Sequence, residues 1–373
     1  MSLKIFQDAY DLSLLYKNRT QNMVKKFLII AASLIQIFAL SCLDINGNPV
    51  AWWNLVKMPK AVKNAPFYGK SYLYVSPDNP TPTLSTNPIN VTSPMTYTLN
   101  QLNTDKTVSF LFYNDGYPGS ETNYSSYYGH SKGILAYTQT QAIYIIHSVP
   151  HFPYTDNVTN AVVLDIADPQ TMYGQNMMCI QLDPQTLFNI AGIMTINHPA
   201  VYFSRIVNQN ANITYLVKNV TAGYKFTQSI YSFTSNGNFY TYFAKDMAGQ
   251  WDLYEDIIAP YYNDGFKVES WGRPYDASFC KPKYSYNVLN VLGVNLGRYA
   301  WYNTDDHSKW GIAIKNTNIY CSSDINRMNS QRKRGGGALC TNSTLLYTAF
   351  SSLITLEESC NELLSQTLSY ITS

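Results

Sequence analysis

The sequence predicts an α/β protein built from two related halves that meet at one site. Three observations carry this. The tripeptide His-Ser-Lys occurs twice, at His130-Ser131-Lys132 and His307-Ser308-Lys309. Each copy runs into an apolar strand, a short polar turn and a second apolar strand, and strand-like and helix-like segments alternate in both halves. In an extended strand residues i and i+2 share a face, so each copy sets an imidazole beside an ammonium. An imidazole can attack phosphorus or move a proton, and a fixed ammonium can hold a phosphate oxygen. Two such pairs facing each other supply a nucleophile, a general acid and charge stabilisation for cutting a phosphodiester. With only five histidines in 373 residues, the duplication points to a site rather than to scattered surface side chains.

Taken in order, residues 1–41 read as a leader. Lys25-Lys26 precede an apolar stretch over 27–40 that ends on the small residues Ala39 and Ser41, the pattern of a secretory signal peptide, with Met23 an alternative start. The stretch is short for a membrane span, and no later one is long and apolar enough. Cys42, Cys179, Cys280, Cys321, Cys340 and Cys360 are even in number and lack CxxC spacing, so a secreted chain would use them as three disulfides, with fifteen pairings open. Sequons at Asn90, Asn123, Asn157, Asn212, Asn219 and Asn342 predict a glycoprotein.

The N-terminal half is expected over 42–223. It holds the Trp52-Trp53 cluster, a strand near 71–75, an exposed loop over 76–94, a buried strand over 107–113 and a helix around 184–190. The second half, 224–373, repeats the alternation with strands over 238–243 and 266–271 and helices over 250–261 and 345–368. The net charge of +2 excludes nucleic-acid binding by bulk electrostatics, so any such contact is a local groove. No His/Asp/Glu cluster has ligand spacing, so neither metal nor cofactor is expected.

A first hairpin turning on Thr138-Gln139 would set His130 opposite His147, and a second on Lys315-Asn316 would set His307 opposite Asp324. His147 is therefore a site candidate, whereas His151 and His198, beside prolines, read as surface residues. Arg332-Lys333-Arg334-Gly335-Gly336-Gly337 combines cations with backbone able to approach a phosphate closely.

Trp52-Trp53 with Lys57-Met58-Pro59, LFYND at 111–115, GHSKG at 129–133, HSVPHFP at 147–153, DHSKW at 306–310, and DINR with RGGGALC between Asp324 and Cys340 occur in this order. With them the chain resembles the deoxyribonuclease II family of acid endonucleases over essentially all of its mature length. The resemblance implies a phospholipase-D-like pseudo-dimer, two α/β halves with mixed sheets sharing one active site at their interface. It also implies DNA as substrate, cleavage without divalent metal to 3′-phosphate and 5′-hydroxyl ends, and work at acid pH in lysosomes or after secretion. Carried over position by position, His130 with Lys132 and His307 with Lys309 are the catalytic pairs and His147 an auxiliary histidine. Asn326, Arg332 and Arg334 are the candidate substrate contacts. By analogy His130 attacks phosphorus to give a phosphohistidine, and His307 as imidazolium protonates the leaving 5′-oxygen. The family pattern implies pairing Cys42–Cys179, Cys280–Cys360 and Cys321–Cys340. Ala51, Val56 and His151 depart from the family pattern, at positions that bear on packing or substrate preference. Two rival readings are a secreted relative with little turnover that binds DNA or a host partner, and a lipid phosphodiesterase. Monomer and homodimer are both open.

Overall fold

The computed structural model describes residues 19–21, 23, 25 and 40–360, less 120–126, 157, 221–226 and 272–275. Residues 1–39 and 40–373 are separate compact units, and the few described residues of the first are helical. The expected apolar core of the signal peptide, Asn123 and Asn157 lie outside the described residues.

Two sheets dominate the second unit. The first contains β1 (Trp52–Lys57), β2 (Tyr72–Ser76), β3 (Asn79–Leu84), β4 (Ser109–Asn114), β5 (Lys132–Tyr137), β6 (Ala142–His147), β7 (Gln175–Leu182) and β8 (Val201–Arg205). Its strands lie in the order β8-β4-β5-β6-β7-β1-β2-β3, all antiparallel. The second contains β9 (Gln228–Ser235), β10 (Asn238–Lys245), β11 (Phe266–Glu269), β12 (Val288–Leu296), β13 (Tyr299–Tyr302), β14 (Trp310–Ala313), β15 (Ile319–Ser323), β16 (Gly336–Asn342) and β17 (Ile354–Glu357). Here the order is β9-β10-β16-β15-β14-β11-β12-β13, with β17 also on β12, and only β11–β12 is parallel. The run β4-β5-β6-β7-β1 in one sheet matches β11-β14-β15-β16-β10 in the other, in space and in chain order. Each histidine motif leads into the second strand of its run.

Strands β1, β4, β5 and β6 are buried at every residue, because both faces are covered. Leu111, Tyr113, Leu135, Tyr144 and Ile146 join a central cluster with side chains of the second sheet, including Tyr242, Trp310, Tyr320 and Leu339. Phe110, Phe112, Ile134, Ile143 and Ile145 face the other way, onto α1 (Pro94–Thr104) through Met95, Leu99 and Leu102. The second sheet is backed in the same manner by Leu253, Tyr254, Ile257 and Ile258. Helix α2 (Pro184–Met194), capped by Asp183, and α3 (Thr344–Ser351), capped by Ser343, both feed the central cluster. Asn54 bonds Tyr320, Asn176 bonds Ser322 and Asn197 bonds Tyr242 across the two sheets, at 2.7, 2.9 and 2.7 Å.

Four expectations are corrected. The first hairpin turns through four residues, closed by Thr138 N–H to Gln141 O, and its pairing Gly133↔Ile146 continues to Lys132 opposite His147, not His130. In the second, Trp310↔Ser322 continues to Ser308 opposite Asp324, so His307 does not face it. The turn lengths set both registers. The expected loop over 76–94 includes β3, whose two prolines are tolerated because it is an edge strand. The expected helix over 345–368 ends at Ser351 and gives way to β17, with 361–373 outside the described residues.

The cysteines pair as Cys42–Cys179, Cys280–Cys360 and Cys321–Cys340, the last directly across β15 and β16. No helix among the described residues is long and apolar enough to cross a membrane.

Candidate active site

Each His-Ser-Lys leads into its strand: Lys132 opens β5 and pairs with Asn114, while Lys309 stands one residue before β14 with its carbonyl accepting the Ser323 N–H at 2.8 Å. On the first sheet, Asp115 follows β4, whose Asn114 pairs with Lys132. Its fully buried carboxylate therefore meets an imidazole, an ammonium and a guanidinium. His130 Nδ1 lies 2.7 Å from Oδ2, Lys132 Nζ donates to Oδ1, and Arg334 donates to Oδ2 at 3.0 Å. Burial alone would lift the Asp115 carboxyl, but His130, Lys132 and Arg334 hold it well below the usual carboxylate range. It is thus ionised in acid solution. Burial, aided by Lys132 and Lys309, takes His130 down to about 3 against the pull of Asp115, which leaves its imidazole neutral.

On the second sheet the matching imidazole has aromatic neighbours instead. His307 stacks on Tyr173 at 3.9 Å and 11°, and Trp271 closes from the side at 4.8 Å. Its Nε2 is buried with no hydrogen-bond partner among the described residues. Burial, then the charges of Lys309 and Lys132 and the nearby His130, hold its pKa well below the ordinary value. Lys309 bonds the carbonyl of His307 at 2.8 Å, and burial with Lys132 beside it pulls its pKa down to about 7.

His147 and Asp324 complete the cluster. His147 is fully buried, and burial with Lys132 and Lys309 holds it at about 3. Asp324 accepts the Gly337 N–H at 2.8 Å through Oδ1, while Oδ2 has no partner among the described residues. Burial raises its carboxyl to about 7 although both lysines oppose the rise. Lys132 from one sheet and Lys309 from the other thus act on the same two buried groups.

Main-chain hydrogen bonds cross between the sheets here. The His130 N–H donates to Gly335 O at 2.8 Å, and the His307 N–H donates to Gly174 O at 2.9 Å. Both acceptors must be glycine: a Cβ on Gly174 would collide with the Asp306 carboxylate, and one on Gly335 with the Asn197 carbonyl.

Of the residues singled out by sequence, His130, Lys132, His147, His307, Lys309 and Arg334 come together. Arg332 instead bonds Asp276 at 3.1 Å and lies over the Phe279 ring. Asn326 is buried after β15, its Oδ1 without a partner among the described residues. His151, expected at the surface, is buried and bonds the carbonyl of Tyr117, and His198 bonds that of Tyr127. Sequence reasoning passed over Asp115, Tyr173 and Trp271. The acid in LFYND, closing the strand beside the His-Ser-Lys strand, was a readable signal for the first. The other two depend on tertiary contact, which leaves no local pattern. Among the described residues no group of His, Cys, Asp and Glu is arranged to hold a metal ion.

The family model for deoxyribonuclease II matches residues 41–360. Plancitoxin-1 of Acanthaster planci is 30% identical over 341 residues, covering 86% of this chain and 93% of its own. Deoxyribonuclease-2 of Caenorhabditis elegans is 30% identical over 361 residues, covering 85% and 93%. Human deoxyribonuclease-2-beta is 28% identical over 339 residues, covering 86% and 92%. The match spans both sheets and every residue of the cluster, and the chain belongs to the deoxyribonuclease II family.

Proposed function

We propose that the chain is a metal-independent acid endodeoxyribonuclease that works through a phosphohistidine. The supporting observation is that two His-Ser-Lys motifs from different sheets share one buried cluster in which, among the described residues, His130 has a carboxylate behind it and His307 has aromatic rings. Asp115 fixes Nδ1 of His130, which turns Nε2 and its lone pair towards substrate. Nε2 attacks phosphorus and forms a P–N bond as the bond to the 5′-oxygen breaks. The departing oxygen takes its proton from Nε2 of His307. Water then attacks, giving its proton back to His307, and the P–N bond breaks to release a 3′-phosphate. Lys132 and Lys309 stabilise charge on the nonbridging oxygens, the effect that usually contributes most. His147, neutral under the charges of both lysines, is the auxiliary group. Arg334 serves the reacting phosphate, and Asn326 and Arg332 are candidate contacts to flanking nucleotides.

The halves, 42–223 and 224–373, each supply one motif; the strands of the first sheet fall in one and those of the second in the other. Three disulfides fit a secretory-pathway protein, and lysosomal delivery or export is the proposed destination. The deciding experiment is plasmid cleavage in EDTA at acid and neutral pH, with end-group analysis. Cleavage that persists in EDTA, prefers acid and leaves 3′-phosphates is expected. Loss on chelation, restored by Mg²⁺ or Zn²⁺, would refute the mechanism. DNA binding without turnover would favour the rival secreted binding protein.

A further inference from the structure

Two lysines outside the cluster occupy matching places. Lys57 is the last residue of β1 and pairs with Gln175, the first of β7. Lys245 is the last residue of β10 and pairs with Gly336, the first of β16. Both side chains are buried, at 1% exposure, and neither makes a salt bridge among the described residues. Each ammonium is held by backbone carbonyls. Lys57 Nζ donates to Tyr173 O at 2.7 Å, and to Met58 O and Gly69 O at 3.0 Å each. Lys245 Nζ donates to Arg334 O at 2.6 Å, Gln331 O at 3.1 Å and Arg332 O at 3.3 Å.

The segments they hold are the two that bond across to the opposite sheet. Tyr173 stacks on His307, and its neighbour Gly174 accepts the His307 N–H. Arg334 touches Asp115 and His130, and its neighbour Gly335 accepts the His130 N–H. A buried ammonium without a carboxylate in contact costs desolvation that carbonyl dipoles offset only in part. Burial pulls Lys57 to about 7 and Lys245 to about 8, so both carry their charge in acid. An apolar side chain would fill either position without that cost. The carbonyl cradle, built twice in the same register, is what the charge maintains.

We propose that Lys57 and Lys245 are crossed positioning residues: Lys57, on the first sheet, sets His307 on the second, and Lys245, on the second sheet, sets His130 on the first. Neither touches substrate; each fixes the crossing segment that a catalytic imidazole leans on. The proposal rests on the nuclease reading and on the assignment of His130 as nucleophile and His307 as acid. A misplacement of about 1 Å costs about 100-fold in rate, so Lys57→Met and Lys245→Met should each lower kcat on DNA by about that factor with KM within about twofold.

The crossing is tested with a nucleoside 3′-(p-nitrophenyl phosphate), whose leaving group needs no protonation. Lys57→Met should regain most of its loss on this ester, because only the acid is displaced. Lys245→Met should regain nothing, because the nucleophile is displaced. Lys57→Arg and Lys245→Arg keep charge and donors behind a wider head group, and should fold and lose about tenfold in kcat by the same displacement. Folded methionine variants with wild-type kcat overturn the proposal, as does rescue of the Lys245 variant in place of the Lys57 variant. If the methionine variants do not fold, arginine variants with wild-type kcat overturn it. A wild-type protein without nuclease activity would count against the proposed function itself.

Discussion

The two His-Ser-Lys segments are identical, yet the slot behind each imidazole is filled differently. Continuing the ladders puts Asp115 opposite Ser131 and Trp271 opposite Ser308, the same place in the two sheets. One side has a buried carboxylate bonded to His130 at 2.7 Å, with Lys132 and Arg334 on its oxygens. The other has an indole and a tyrosine ring closing on His307. A duplicated motif alone supplies two equivalent histidines, whereas displacement at phosphorus needs a neutral attacker and a charged donor. In the proposed mechanism the asymmetric slot divides those roles. The carboxylate fixes one tautomer of a neutral ring, and the aromatic plates keep the other ring poor in solvation until a phosphate draws a proton onto it.

The largest effect belongs to the histidines themselves. His130→Ala and His307→Ala should each lower plasmid cleavage by about 10³-fold or more, since neither half holds both nucleophile and acid. Circular dichroism should show a retained fold. Substantial turnover by either variant would sink the two-histidine mechanism.

Next comes the slot on the first side. Asp115→Asn keeps the shape but removes the charge that fixes the His130 tautomer, and should cost about 10²–10⁴-fold in kcat. It also strands Lys132 and Arg334 beside a neutral amide in a buried site, at about 3 kcal/mol of stability. A thermal melt reads the second effect and single-turnover cleavage the first. The native carboxylate is held below its ordinary pKa, so its stabilising effect is present above about 4 and is lost only as pH falls through that depressed value. Its loss in the variant should therefore show across the working acid range. A variant with normal turnover would show that the tautomer is set elsewhere.

The parts legible in sequence were those whose signal is local. The strand over 107–113 could be read because burial of both faces makes it a largely apolar run, and the observed Ser109–Asn114 overlaps it at all but Asn114. Asn79–Leu84 could not, because its prolines and polar residues fit an edge strand as well as a loop. Each His-Ser-Lys stood out by repetition, but the partners across the hairpins were misassigned, since residue spacing does not fix turn length. The roles of Tyr173, Gly174 and Gly335 towards the opposite sheet were out of reach for a different reason. These residues serve a histidine on the opposite sheet, and no periodicity in one segment records what lies on the other sheet.

The smallest effect offers the sharpest test of the division of roles. With His307 held well below the ordinary histidine value, proton uptake in the free protein requires stronger acid than in the DNA complex, where a phosphate anion stabilises the imidazolium. The pH dependence of kcat/KM reports the free protein and that of kcat the complex. The alkaline limb of kcat/KM should therefore lie at lower pH than that of kcat. His130, lowered to about 3, stays neutral as a nucleophile through most of the acid range. Replacing the indole 4.8 Å from His307 by Trp271→Leu opens the ring to water and relieves the burial that depresses it. The kcat/KM limb should then move up towards about 6.5, with kcat at the optimum changed by only a few-fold. The same substitution should leave the acid limb, set by His130, where it was. A kcat/KM limb that stays put or moves to lower pH would show that the aromatic plates do not tune the acid, and the two halves would then differ in shape but not in role.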